Sequence, residues 1–147
     1  MTQEDKDLLL NDLCARLPYG TMLNISVNLF TDETFNARIS TIDYCGEIKV
    51  RYGFEEYEQI FSLEQIKPYL FPLSSMTEEQ KRELKDLISQ ETEIVIEHLK
   101  TGDCGIDCGK YHFYSTLQLE WLLKNHFDFN GLIPKGLAND ATGLNIY

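Results

Sequence analysis

Lys67-Pro68-Tyr69-Leu70-Phe71-Pro72-Leu73-Ser74-Ser75-Met76-Thr77-Glu78-Glu79-Gln80 divides the chain into two kinds of pattern. The two prolines fix φ and remove two backbone donors, so no helix runs through this stretch. Thr77 followed by Gln80 is the signature of a capped helix N-terminus. Upstream the residues alternate as short strands; downstream they recur at helical spacing. That contrast predicts an α+β protein.

Upstream, Leu9, Leu13 and Leu17 step by four along residues 3–17. Lys6, Asp7, Asp12 and Arg16 flank them, as on an amphipathic helix capped by Thr2 or Asp5. Leu17-Pro18-Tyr19-Gly20 ends it. From Leu23 the period becomes two: Leu23, Ile25, Val27 and Leu29 alternate with Asn24, Ser26 and Asn28. Phe35, Ala37 and Ile39 continue the alternation, which slips at Ser40–Thr41, a predicted bulge. Cys45-Gly46 and Gly53 turn the chain around Ile48, Val50 and Tyr52, and 54–61 is a blurred fourth strand. Ser62 to Gln65 reads as one helical turn before an extended piece, 66–70. Short strands at this spacing predict a small antiparallel SH3-like or Tudor-like barrel, or a curled sheet packed on the first helix.

Downstream, 77–99 reads as a helix whose β-branched Ile94-Val95-Ile96 run weakens its second half, so that 90–98 stays open between helix and strand. Thr101–Gly109 is a glycine-rich loop. Ser115 to Gln118 opens a second helix with Leu117, Trp121 and Leu122 inward. Residues 127–147 form an irregular tail anchored by Phe129, Leu132, Ile133 and Leu137. The expected division is an N-terminal lobe, 1–72, and a mainly helical C-terminal lobe, 73–147, sharing one core.

The 147 residues carry 13 Lys/Arg against 24 Asp/Glu, a formal net charge of −11. Residues 1–72 hold 6 basic and 12 acidic side chains and residues 73–147 hold 7 and 12, so neither half is a basic module. Direct nucleic-acid binding is therefore not expected, since its affinity rests on phosphate neutralisation. The acidity reads as a means of solubility; the sharper alternative is attraction to a basic protein partner. No run approaches the ~20 apolar residues of a membrane span. The acidic start lacks the basic and apolar segments of a secretory signal, so the expected location is cytoplasmic and the four cysteines are expected to be reduced.

Chemistry has few footholds. Cys104-x3-Cys108-x3-His112 offers zinc-ligand types, but the commoner knuckle is Cys-x2-Cys and no fourth ligand has a familiar spacing. Cys108, His112 and Asp128 match a thiol catalyst by type alone. The glycines of this loop do not form a phosphate-binding motif. Cys14 and Cys45 read as small hydrophobes, buried or half-buried. Tyr44, Tyr52, Phe54 and Tyr57 gather at turns of the expected sheet, where Tyr44 and Tyr57 suit either packing or peptide contact. In the tail, His126, Asp128 and Lys135 are a candidate polar contact surface; the alternative is a glycine- and proline-directed path closing over the core.

The tail segment Asn125-His126-Phe127-Asp128-Phe129-Asn130-Gly131-Leu132-Ile133-Pro134-Lys135-Gly136-Leu137-Ala138, with Leu17–Gly20 and Ser74–Glu79, resembles a group of small uncharacterised proteins of phages, prophages and mobile elements of gut anaerobes. The resemblance implies an accessory protein inside a bacterial cell that binds a host or phage component. It brings no activity, cofactor or catalytic residue. The expected function is a non-enzymatic binding or regulatory protein acting through protein–protein contacts; the alternative is a small enzyme or zinc protein using the Cys104–His112 loop.

Overall fold

The structure, a computed structural model, describes residues 1–27, 33–43, 47–52, 57–87 and 116–147, with backbone only at 51–52 and 57–58. Helix α1 (Gln3–Arg16) starts at a capping box: the Thr2 hydroxyl accepts from the Asp5 amide while the Asp5 carboxylate accepts from the Thr2 amide. It ends in a 3₁₀ turn, Leu17–Tyr19, and the chain reverses at Gly20, whose φ of 63° is a left-handed value.

Five strands follow: β1 (Met22–Ser26), β2 (Thr34–Ile42), β3 (Ile48–Tyr52), β4 (Tyr57–Phe61) and β5 (Ile66–Pro72). They lie in the order β4-β3-β2-β1-β5 with antiparallel pairing throughout. The predicted slip is a bulge: the β2/β3 register shifts between Ile39 and Thr41, and the Ser40 hydroxyl donates to the Lys49 carbonyl. The helical turn at Leu63–Gln65 joins β4 to β5 and carries its own Ser62/Gln65 capping box. Among the described residues the sheet is not closed into a barrel, the first of the two expected forms.

Alternation puts Leu23, Ile25, Ala37, Ile39, Ile48, Val50, Phe61, Ile66 and Leu70 on the inner face, where they form one core with Leu9 and Leu13 of α1 and Leu132, Leu137 and Ala138 of the tail. Phe35 meets Phe61 edge-on, with ring centroids 5.8 Å apart.

The tail is more regular than its composition suggests. β6 (Phe127–Asp128) and β7 (Asn139–Asp140) each add two residues to β5, and both are parallel to it. The expectation of a purely antiparallel sheet fails here because the connection from β5 to β6, unlike those between the earlier strands, is long enough for a crossover. The compact units are accordingly 1–75 with 126–147, and 76–125. The tail thus groups with the N-terminal strands, unlike the expected division at 72/73.

In the second unit, helix α2 covers 78–87 of the described chain, and α3 is Thr116–Lys124. Thr77 caps α2 as expected, its hydroxyl accepting from the Gln80 amide. In α3, Leu122 is buried but Leu117 is exposed, and Gln118 takes an inward place, its side-chain amide donating to the Leu84 carbonyl. The expected helical course beyond 87, and the glycine-rich loop, lie outside the described residues. No helix among the described residues is long and apolar enough to cross a membrane.

Candidate functional site

Two polar regions of the first unit stand out, one inside and one on the sheet surface. The inner one begins on α1. Positions 9, 12, 13 and 16 share a helical face, so Asp12 and Arg16 go inward with Leu9 and Leu13 instead of flanking them in solvent. Arg16 Nε donates to Asp12 Oδ2 at 2.6 Å and Nη2 to Asp12 Oδ1 at 3.2 Å, with both side chains fully buried. Nη2 also donates to the Phe127 carbonyl at 2.8 Å, and the guanidinium carbon lies 5.3 Å from the Phe129 ring centre. Asn130 Nδ2 adds a third donor to the Asp12 carboxylate at 2.8 Å. Arg16 Nη1 has no partner among the described residues.

Next to this joint, His126 adopts a φ of 58°, which few non-glycine residues tolerate. Its Nδ1 shares a 3.3 Å hydrogen bond with the buried Thr21 hydroxyl, and its carbonyl accepts from the Phe71 amide at 2.9 Å. Burial first, then the Arg16 and Arg38 charges, pull its pKa down to about 4, so the ring is neutral at pH 7. The Tyr147 ring stacks on it, centroids 3.8 Å apart and 12° from parallel.

The Tyr147 hydroxyl donates to the Tyr69 carbonyl at 2.6 Å and accepts from the Met22 amide at 3.3 Å. The β1/β5 ladder runs from Ile25↔Ile66 to Leu23↔Pro68. Its next rung would pair Met22 with Tyr69, so the hydroxyl takes the place of a direct strand-to-strand bond. Tyr147 as a whole is partly exposed, but desolvation of its hydroxyl pushes the phenol up to about 12.

Asp128 accepts from the Leu132 and Ile133 amides, both at 2.8 Å, and so fixes the turn after β6. Of the three tail residues read as a contact surface, His126 and Asp128 are buried and occupied in this way. Lys135 is exposed, its Nζ 3.9 Å from Asp5 Oδ1 at the start of α1. Cys14, read as a buried or half-buried hydrophobe, is exposed, because it lies off the 9-12-13-16 face. Tyr44, Cys104, Cys108 and His112 lie outside the described residues, and Tyr57 contributes only its backbone, paired with Tyr52. Among the described residues no group of three or more His, Cys, Asp or Glu is gathered for a metal ion.

Sequence reasoning missed Asp12, Arg16, Thr21 and Tyr147. For the first two the signal was present: two charges spaced four apart and in phase with Leu9 and Leu13. Nothing local marks Thr21 or Tyr147, whose partners are remote.

The second polar region is the outer face of the sheet. Strands β1, β2, β3 and β5 together contain Arg38, Lys49, Arg51 and Lys67 and not one Asp or Glu. Arg38 and Lys67 are exposed and Lys49 is half-buried. At the centre, Asn36 Oδ1 accepts from Asn24 Nδ2 at 3.3 Å and from the Tyr69 hydroxyl at 3.2 Å. A shallow groove of about 210 Å³ near β4, between Lys6, Glu47, Ile60, Leu63 and Glu64, is bridged by a Lys6–Glu64 ion pair.

In comparisons with known proteins, no family model, curated protein or solved structure matches this chain.

Proposed function

We propose that the chain is a non-enzymatic binding protein that acts through protein–protein contacts, an accessory factor of the kind that mobile elements encode. One observation carries the binding part of this reading. Among the described residues, the buried titratable groups of the first unit are engaged by the chain itself: Asp12 with Arg16 and Asn130, Asp128 with two amides, His126 with Thr21 and Tyr147. Apart from Arg16 Nη1, these groups are held in place by the chain itself, and a network of this kind fixes a framework. What the framework presents to a partner is an open sheet surface with exposed polar and charged side chains. The mobile-element context rests on the resemblance of the three segments quoted above.

The strand order supports an SH3-like reading of the sheet. A 3₁₀ turn joins β4 to β5, β5 pairs with β1, and β2 is bulged. Folds of this kind serve many unrelated functions, so the surface chemistry bears the functional argument.

The test is capture. The immobilised chain should retain one protein from a gut-anaerobe lysate at low and moderate salt, and that protein, once purified, should form a complex of defined stoichiometry. A lysate that yields nothing above background at either salt counts against the reading.

A further inference from the structure

We propose that the outer face of the β5-β1-β2-β3 sheet is a docking surface for an acidic, extended segment of a protein partner. The proposal rests on the binding reading above and names the chemistry of the occupant.

The first argument is charge. In a chain with nearly twice as many acids as bases, the four strands of this face hold only bases. Arg38, Lys49 and Lys67 form no ion pair among the described residues, whereas Arg16 and Lys6 are each paired. Unpaired cations sharing one face repel one another at low salt, and an anionic partner relieves that repulsion.

The second argument is spacing. The register places Lys67, Asn24 and Asn36 in one row across β5, β1 and β2. Two residues along, Met22 and Arg38 form the next row, with Arg51 opposite Arg38 on β3. With strands about 4.8 Å apart and about 3.4 Å per residue, the Lys67 and Arg38 backbones stand about 12 Å apart. Carboxylates three or four residues apart on an extended segment span about that distance. Between the two cations, the amide groups of Asn24 and Asn36 not used in their mutual bond are available to a partner's main chain.

A single-stranded nucleic acid is the other anionic candidate, and the face suits it less well. Such binding uses aromatic rings with a free face. Here Tyr147 is stacked on His126, and the Tyr69 hydroxyl is tied to Asn36. Acidity elsewhere on the chain also opposes the dense charge of a phosphate backbone.

The experiment titrates the intact chain with a labelled peptide of alternating glutamate and serine, about ten residues long, at about 20 mM salt where surface charges are least screened. An oligothymidylate of similar length runs in parallel. Backbone amide shifts should concentrate at 22–26, 34–42, 48–52 and 66–70. The double variant Arg38→Glu/Lys67→Glu should weaken peptide binding about tenfold or more while melting as the parent does, because reversed charges repel the same ligand. Lys81→Glu, on α2, should leave binding unchanged. The proposal fails if the shifts fall elsewhere, if the double variant binds like the parent, or if oligothymidylate binds more tightly than the peptide. If a partner captured from lysate ignores the double variant, protein binding survives as a reading and this face does not.

Discussion

Arg16 and Arg38 are the same side chain in opposite circumstances. Arg16 is fully buried and bonded to a carboxylate and a carbonyl; Arg38 is exposed and makes no ion pair among the described residues. A buried charge needs a close counter-charge to offset its desolvation cost, and removing that partner exposes the cost. An exposed charge contributes little to folding and remains free to meet a ligand. The contrast between the inner joint and the outer sheet face separates what holds this protein together from what it offers to others.

The comparison breaks most readily at Asp12. Asp12→Ala strands the Arg16 guanidinium and should cost about 3–5 kcal/mol in urea unfolding; a loss within experimental error would mean the joint is not a structural centre. Asp128→Ala releases the Leu132 and Ile133 amides and should cost about 2–3 kcal/mol by the same measurement, Leu132 being fully buried.

His126 gives the inner region a pH signature. The unfolded chain binds this proton near 6.5 and the folded chain only near 4, so the unfolded state holds more protons between those values. Stability from this group is fully present above about 6.5 and is lost as pH falls toward 4. The loss should be about 2 kcal/mol, less than the full shift implies because the ring is not wholly shielded. In His126→Asn, which suits the left-handed backbone, that part of the slope should vanish. An identical slope in parent and variant would place the titration elsewhere.

Tyr147→Phe removes the hydroxyl between β1 and β5 and should cost about 1 kcal/mol, with faster exchange at the Met22 amide. At the other extreme, Arg38→Glu/Lys67→Glu should change stability by less than about 0.5 kcal/mol. A large loss there would erase the distinction between framework and surface.

Much of the framework was legible from local pattern. α1, the alternation of β1 to β3, the bulge at Ser40 and the turn at Leu63–Gln65 each follow from residues close together in the chain. β6 and β7 were not, because two-residue strands exist only through their pairing with β5. Asp12 and Arg16 read as solvent flank because charge was weighed before phase. The outer face was hidden by averaging. Six bases against twelve acids in residues 1–72 concealed that β1, β2, β3 and β5 hold bases only, while the acids sit in α1, in connecting segments and at Glu58 of β4.

The bond from Arg16 to the Phe127 carbonyl spans 111 positions of sequence. During translation the nascent first helix emerges long before the carbonyl that its guanidinium needs, so this unit is completed only after Phe127 has been made. Residues 76–125 are spliced into it at a point where the outgoing and returning strands lie side by side, as the Phe71 amide on the His126 carbonyl shows. A short linker in place of that insertion should leave a stand-alone miniature of the sheet for laboratory work.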